Sequence, residues 1–369
     1  MSLIENILDT ARWAPSGDNM QTWRFEADND RHFVVHAYDT RDWCVYDLDG
    51  RASQISFGAL LETIAIAATQ FKLKALITRR PDAPENTPIF DIHLAEDDSI
   101  LPSGLLPFVR TRCTQRRRMK TTPLSAEDKS ALEAALGSDH TVTWIEGWRG
   151  RWDAAKLMFR NANIRLTMPE AYRVHSVVIE KNAHFSVDKI PDAAVGLSPI
   201  GLRLMHWAMK SWSRVDFLNR YLAGTLLPRI ELDLLPSIFC AAHFVICSKS
   251  TDHGIDKHIE SGRAVQRFWL TAAQRGLQFQ PEMTPLIFAT YIREGIPFTK
   301  EKTIEQEARA LTRTFESIAG EKDAPCSVFM GRMGVGDTPK SRSLRLAVED
   351  LMSGREAIPS PDKPSERIT

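Results

Sequence analysis

The chain lacks any excess of charge of one sign: Lys+Arg and Asp+Glu both number 47 in 369 residues. There is therefore no overall field to hold nucleic acid or an anionic membrane. Cysteine is sparse. Cys44, Cys113, Cys240, Cys247 and Cys326 are five in number, well separated and free of any CxxC pair, which argues against a disulfide framework or a zinc-finger spacing and fits a reducing compartment. Long apolar runs are also missing. The longest, near Ile238 to Cys247, is too short to span a bilayer, and the opening MSLIENILDT carries acidic residues and no apolar core of a leader peptide. The expectation is a cytoplasmic protein whose partners are small molecules or other proteins. The histidines suggest no metal either. His253 and His258 are five apart, off a common helical face, and His206 sits in an apolar helix where a satisfied side chain is expected.

What is present is an ordinary globular composition, 43% hydrophobic and 25% charged, long enough for two domains or one large one. Periodicity predicts a helix from about Leu3 to Trp13, a polar loop, a strand in RHFVVHAY from Arg31, and a helix buried on most sides over Arg51 to Lys72. Sliding the chain on itself by 204 residues lays GALLETIAIAATQFKL (from Gly58) over GRAVQRFWLTAAQRGL (from Gly262), with Gly58/Gly262, Ala68/Ala272, Gln70/Gln274 and Leu73/Leu277 identical. Helices resemble one another, so this match alone leaves duplication and chance both open. If it is a duplication, the two halves can pack as a homodimer would, and neither need keep all of a shared site.

Residues 160–236 have no counterpart in the first half. Leu202, Met205, Met209 and Trp212 recur there at helical spacing, as in a core or contact helix, or in a lid over a ligand. The boundaries so read are 1–110 for a first half, 111–352 for a second half carrying that insertion, and 353–369 for a polar tail expected to be disordered.

Two cationic stretches could carry chemistry. In RCTQR, Arg112, Thr114 and Arg116 alternate, so an extended backbone turns them to one side as a grip for phosphate. A solvated surface is the plainer reading. Pro123 and a Ser125 N-cap follow, opening a helix. Near the end, Lys340, Arg342 and Arg345 follow Gly331, Gly334 and Gly336, which lack a dinucleotide-binding arrangement and read as turn residues after a strand.

The opening stretch APSGDNMQTW resembles the A-P-S-x-x-N-x-Q-P-W loop of the flavin-dependent nitroreductase superfamily, departing at Thr22 where Pro is usual. RCTQR is similar to that family's R-x-S/T-x-R/K segment, TAAQRGLQFQPEMTP to its A-x-x-x-G-L-x-x-x-P region, and the basic C-terminal stretch to the cations with which its members finish. In single-domain members the cationic segment precedes the loop, whereas here the loop comes first. Internal duplication accounts for the order: the first half keeps the loop, and the second keeps the cations.

The resemblance implies an α+β nitroreductase-like fold of two pseudo-equivalent halves with an inserted helical lid, and one FMN between them. It further resembles the fused, lidded subgroup of Acg-like flavin-binding proteins and the nitroreductase-like proteins associated with adenylyltransferases, which would be a protein partner. The implied site has Arg112, Thr114, Arg116 and Arg342 or Arg345 on the FMN phosphate. Pro15, Ser16 and Gly17 would lie along the flavin edge, with Asn19 and Gln21 offering amides. Gln280, Pro281, Met283 and Thr284 would bring backbone N–H groups toward flavin N5. The chemistry implied is hydride transfer from NAD(P)H to a planar electrophile such as a nitroaromatic or quinone, in a monomer or homodimer, with no side-chain acid or base required. The rival implications are a protein that sequesters FMN without turnover and a flavin-dependent tailoring enzyme that works beside an adenylyltransferase.

Overall fold

A computed structural model describes residues 2–221, 224–250 and 254–352; His253 and the expected tail lie outside the described residues. The first helix, α1 (Leu3–Ala11), starts where expected because Ser2 and Glu5 form a reciprocal capping box. It ends short of Trp13 as the chain turns into the Pro15 loop. Strands β1 (Trp23–Asn29) and β2 (His32–Ala37) follow, then α2 (Arg51–Thr69), β3 (Leu73–Arg79) and β4 (Ile89–Glu96). After α3 (Ala126–Leu136), N-capped by Ser125 as its sequence predicts, comes β5 (His140–Ile145). Four helices of ten residues or more stand next, α4 (Gly147–Thr167), α5 (Pro169–Val178), α6 (Pro199–Ala208) and α7 (Trp212–Tyr221). The chain then forms β6 (Ala242–Ser248), α8 (Ile255–Gln274), β7 (Gln278–Pro281), α9 (Thr284–Glu294), α10 (Lys302–Ala319) and β8 (Ser327–Gly334).

Helices and antiparallel sheets thus make an α+β fold with two separate four-stranded sheets. One runs β1-β2-β4-β3 and the other β5-β6-β8-β7. With α4–α7 and α9–α10 of the second sheet set aside, each reads, in chain order, strand, strand, long helix, strand, strand, and each has the same neighbour order. α2 and α8 lie against each other between the sheets, and their glycines make the contact possible. A Cβ on Gly58 would fall 1.9 Å from the Ile259 carbonyl oxygen, and one on Gly262 would fall 2.1 Å from that of Ile55. The two contacts are exchanged by the 204-residue offset from Gly58 to Gly262. So are the polar pairs beside them, Glu62 with Arg267 at 3.0 Å and Gln266 with Thr63 at 2.9 Å. Among the described residues α2 is the helix long and apolar enough to cross a membrane, and it is mostly buried inside the protein.

The C-terminal arm returns to the first sheet. Val348 and Leu351 enter its core with Ile4, Ile7, Trp23 and Phe25, and Met352 bridges to Phe25. This arm carries Arg342 and Arg345 across to α1.

Two expectations require correction. Leu202 to Trp212 do not form one helix: α6 ends at Ala208 and α7 starts at Trp212, where the Trp212 ring packs on Tyr172 at 5.6 Å. Gly331 and Gly334 are not turn residues but lie inside β8. A Cβ on Gly331 would meet the Phe244 ring at 2.6 Å, and one on Gly334 the Ala241 nitrogen at 2.9 Å, so close strand packing explains both.

Candidate functional site

The Pro15 loop is held in an unusual backbone. Asp18, Asn19 and Gln21 have φ of 49°, 64° and 48°, left-handed values that cost non-glycine residues about 1 kcal/mol or more each and persist where surroundings impose them. Here the surroundings are visible. Ser16 Oγ accepts from the Gln21 N–H at 3.1 Å. The Gln21 amide donates to the carbonyls of Asn19 and Val187, and its oxygen accepts from the Leu346 N–H. Asn19 Nδ2 donates to the carbonyls of Val187 and Lys189 at 3.3 Å. Gln21 therefore spends its amide on the fold, while Asn19 Oδ1 is buried with no partner among the described residues. A Cβ on Gly17 would meet nothing within 4 Å, so this part of the loop borders open space.

The cationic segment runs beside the edge strand β7: Thr114 forms a parallel bridge with Phe279, and the Gln115 N–H donates to the Phe279 carbonyl at 2.9 Å. Arg112 is buried, stacked 4.3 Å over the Trp269 ring, with Nη2 on the Trp13 carbonyl at 3.0 Å. Arg342 donates to the carbonyls of Arg110 and Arg112. Arg345 gives two hydrogen bonds to the Ala14 carbonyl, at 3.1 and 3.0 Å. The guanidinium groups of Arg342 and Arg345 lie 5.1 and 6.0 Å from the centre of the Trp13 ring. The structure thus brings together Arg112, Arg342 and Arg345 with the end of α1, from opposite ends of the chain.

Among the described residues these cations have main-chain carbonyls as partners and no carboxylate ion pair of their own. Burial pulls Arg112 down to about 10, with Cys113 opposing and Arg342 assisting. Burial and then repulsion from Arg112 and Arg342 hold Arg345 well below the usual arginine range. A guanidinium stays charged in a protein, so both shifts express uncompensated positive charge. Moreover, Arg112 Nε and Arg342 Nε are buried with no partner among the described residues. Buried N–H donors are costly unless paired, and a phosphate dianion supplies both the acceptors and the charge.

Arg116 stands apart from that cluster. Its Nη1 reaches the Ala194 carbonyl at 3.4 Å, and burial lowers its pKa against attraction from Asp18. Burial raises the Asp18 carboxyl, and Arg116 offsets this. Residues between β5 and β6 thus touch the loop through Asn19 and Gln21 and touch Arg116 through Ala194.

Beyond β7, the sequence-predicted residues enter a buried network. Gln280 Oε1 accepts from Arg332 Nε at 2.9 Å, and Gln280, Arg332 and His243 face one another in register across β7, β8 and β6. Glu282 pairs with His243 Nδ1 at 2.7 Å and lies 3.6 Å from Arg332. His243 Nε2 meets the Ser237 carbonyl at 2.9 Å, so both ring nitrogens donate. Burial opposes that charge, but Glu282 overrides it and holds His243 well above its ordinary pKa. Met283 takes the Met330 N–H on its sulfur at 3.5 Å, Thr284 Oγ1 accepts from Asn161 Nδ2 at 2.9 Å, and Pro281 closes β7. Sequence reasoning missed Arg332, Glu282 and His243; the signal available was an arginine inside the apolar strand SVFMGRMG.

Comparison with known proteins gives little. No family model matches the chain, and no curated protein matches it. Among solved structures, a nitroreductase-like family protein from Bacillus cereus is similar at 11% identity over 69% of this chain and 97% of that one, with a TM-score of 0.34. A likeness of that size carries no argument for fold or function.

Proposed function

We propose that the chain is an FMN-dependent oxidoreductase of nitroreductase type, built from two duplicated halves that share one flavin site. The observation that carries the reading is the arginine cluster, where two buried guanidinium Nε groups lack an acceptor among the described residues beside a loop with three left-handed non-glycine residues. The exchange of Gly58 and Gly262 contacts and the matched sheet orders support the duplication.

In this reading Arg112 and Arg342 bind the phosphate, while Arg345 secures the arm by holding the Ala14 carbonyl. Trp13 and Trp269 exclude water from the guanidinium planes. Pro15 to Asn19 form one wall, and Arg116 with Gln280 to Thr284 form another. Bound FMN supplies the two-electron chemistry, between a reduced nicotinamide and a small planar electrophile. The residues described orient and shield; the fixed positive charge of Arg116 and of the Arg332 network favours negative charge nearby.

A second reading, FMN sequestration without turnover, is favoured by one observation: the segment 187–194 bonds directly to Asn19, Gln21 and Arg116, a cover that could exclude nicotinamide. Anaerobic mixing of the flavin-loaded protein with NADH or NADPH separates the two. Bleaching of the flavin absorbance supports the oxidoreductase, and an unchanged spectrum with both donors would leave sequestration. A protein that takes up no FMN would remove both.

A further inference from the structure

Away from the arginine cluster, the fold sets Cys247 of the second sheet beside Asp323 and Cys326, two residues of the turn that leads into β8. The Sγ atoms of Cys247 and Cys326 and a carboxylate oxygen of Asp323 all lie within 4.8 Å of one another. Cys247 is a buried residue of β6, paired in register with Ser327 at the start of β8. The single helical turn Ala324–Cys326 delivers Cys326 beside it. Both thiols donate to the Asp323 carbonyl, each at 3.1 Å. Thr143 of β5 donates to Asp323 Oδ2 at 2.8 Å, which fixes the orientation of the carboxylate. Cys326 and Ser327 also line a cavity of about 260 Å³ between α2, α8 and α9.

We propose that Cys247, Asp323 and Cys326 bind a thiophilic divalent cation of the zinc or cadmium class. Two sulfurs and one oxygen match the soft, tetrahedral preference of such ions, whereas magnesium and calcium require an oxygen-rich shell. Zinc–sulfur bonds of about 2.3 Å set tetrahedral sulfurs roughly 3.8 Å apart, so ligands already within 4.8 Å need small side-chain adjustments. Three protein ligands leave a fourth position for water, and the cavity that Cys326 lines gives the ion a way in. Binding replaces the two S–H protons, which pass to solvent, and the thiols give up their bonds to the Asp323 carbonyl. Thr143 acts from outside as the orienting group that metal carboxylates commonly have. The resulting negative charge lies near Arg293, whose Nη1 donates to the Ala324 carbonyl at 3.1 Å.

The test uses the reduced, metal-free full chain, titrated with Cd²⁺ and followed by the thiolate-to-metal ultraviolet band and by native mass spectrometry. The expected result is one tightly held ion per chain, retained in Cys44→Ala. Binding should weaken at least 100-fold in Cys326→Ser, whose fold is checked by circular dichroism. Asp323→Asn, which keeps the turn and both thiols, should weaken binding by a smaller factor. Absence of the band at one equivalent, or a band that persists in Cys326→Ser, would overturn the proposal. Loss of two hydrogens on mild oxidation in a chain that takes up no Cd²⁺ would also overturn it, showing a redox dithiol in its place. None of these readings depends on flavin binding.

Discussion

Gly58 and Gly262 meet each other's helix backbones: each leaves no room for a Cβ against the carbonyl of Ile259 or Ile55, and the two contacts are equivalent under one sequence offset. The obstructing atoms are main-chain carbonyls, which cannot rotate aside as a side chain can. Gly58→Ala and Gly262→Ala should therefore each destabilise the protein by ~2 kcal/mol or more despite alanine's better helix propensity. Denaturant unfolding checks this, and similar losses from the two variants are expected. A stabilising effect from either would contradict the close crossing.

Arg342→Gln should weaken FMN binding about 10-fold or more while leaving riboflavin, which lacks the phosphate, bound as in the parent. One charged hydrogen bond of ~1.5 kcal/mol or more sets that factor. Equal losses for both flavins would place the phosphate elsewhere. Replacing Arg112 and Arg116 together by Ala should abolish FMN retention.

Glu282 holds together two buried cations. Glu282→Gln leaves Arg332 and His243 without their shared carboxylate, a loss of ~3 kcal/mol or more for a broken buried pair. Thermal unfolding reads this directly, and a shift within error of zero would contradict a charged His243.

His175 predicts a pH dependence of a known sign. Its Nε2 meets the Tyr46 hydroxyl at 3.0 Å, and burial, with Arg165 adding repulsion, lowers its pKa from 6.5 to about 3. The unfolded chain then binds a proton that the folded chain refuses, so this contribution is full above pH 6.5 and is lost as pH falls from there toward 3. His243 has the opposite sign, since its raised pKa adds stability at low pH that is lost only as pH rises through the folded value. Unfolding curves of His175→Leu should show a shallower acid limb than the parent, alongside lower stability at neutral pH.

The parts of the site legible in the sequence were those encoded locally. APSGDNMQTW announces a turn-rich loop by its own residues, and RCTQR announces a row of cations by alternation. The likeness of α2 to α8 was visible because their close crossing needs glycine at matching positions, Gly58 and Gly262. The matching strand order was not, since short strands tolerate nearly any apolar sequence. The break between α6 and α7 was missed because the apolar spacing continues through the turn. What Gln21 and Asn19 do could not be read from the loop, because their partners lie at Val187, Lys189 and Leu346. The Arg332, Glu282 and His243 network joins three strand regions far apart in the chain, and only folding reveals it.

The central claim is one flavin site shared by two halves, and the released flavin per chain tests it most directly. After purification with excess FMN and desalting, the account predicts one FMN per chain and a yellow protein. A colourless protein that fails to take up added FMN would contradict the claim outright, and two FMN per chain would contradict the single shared site.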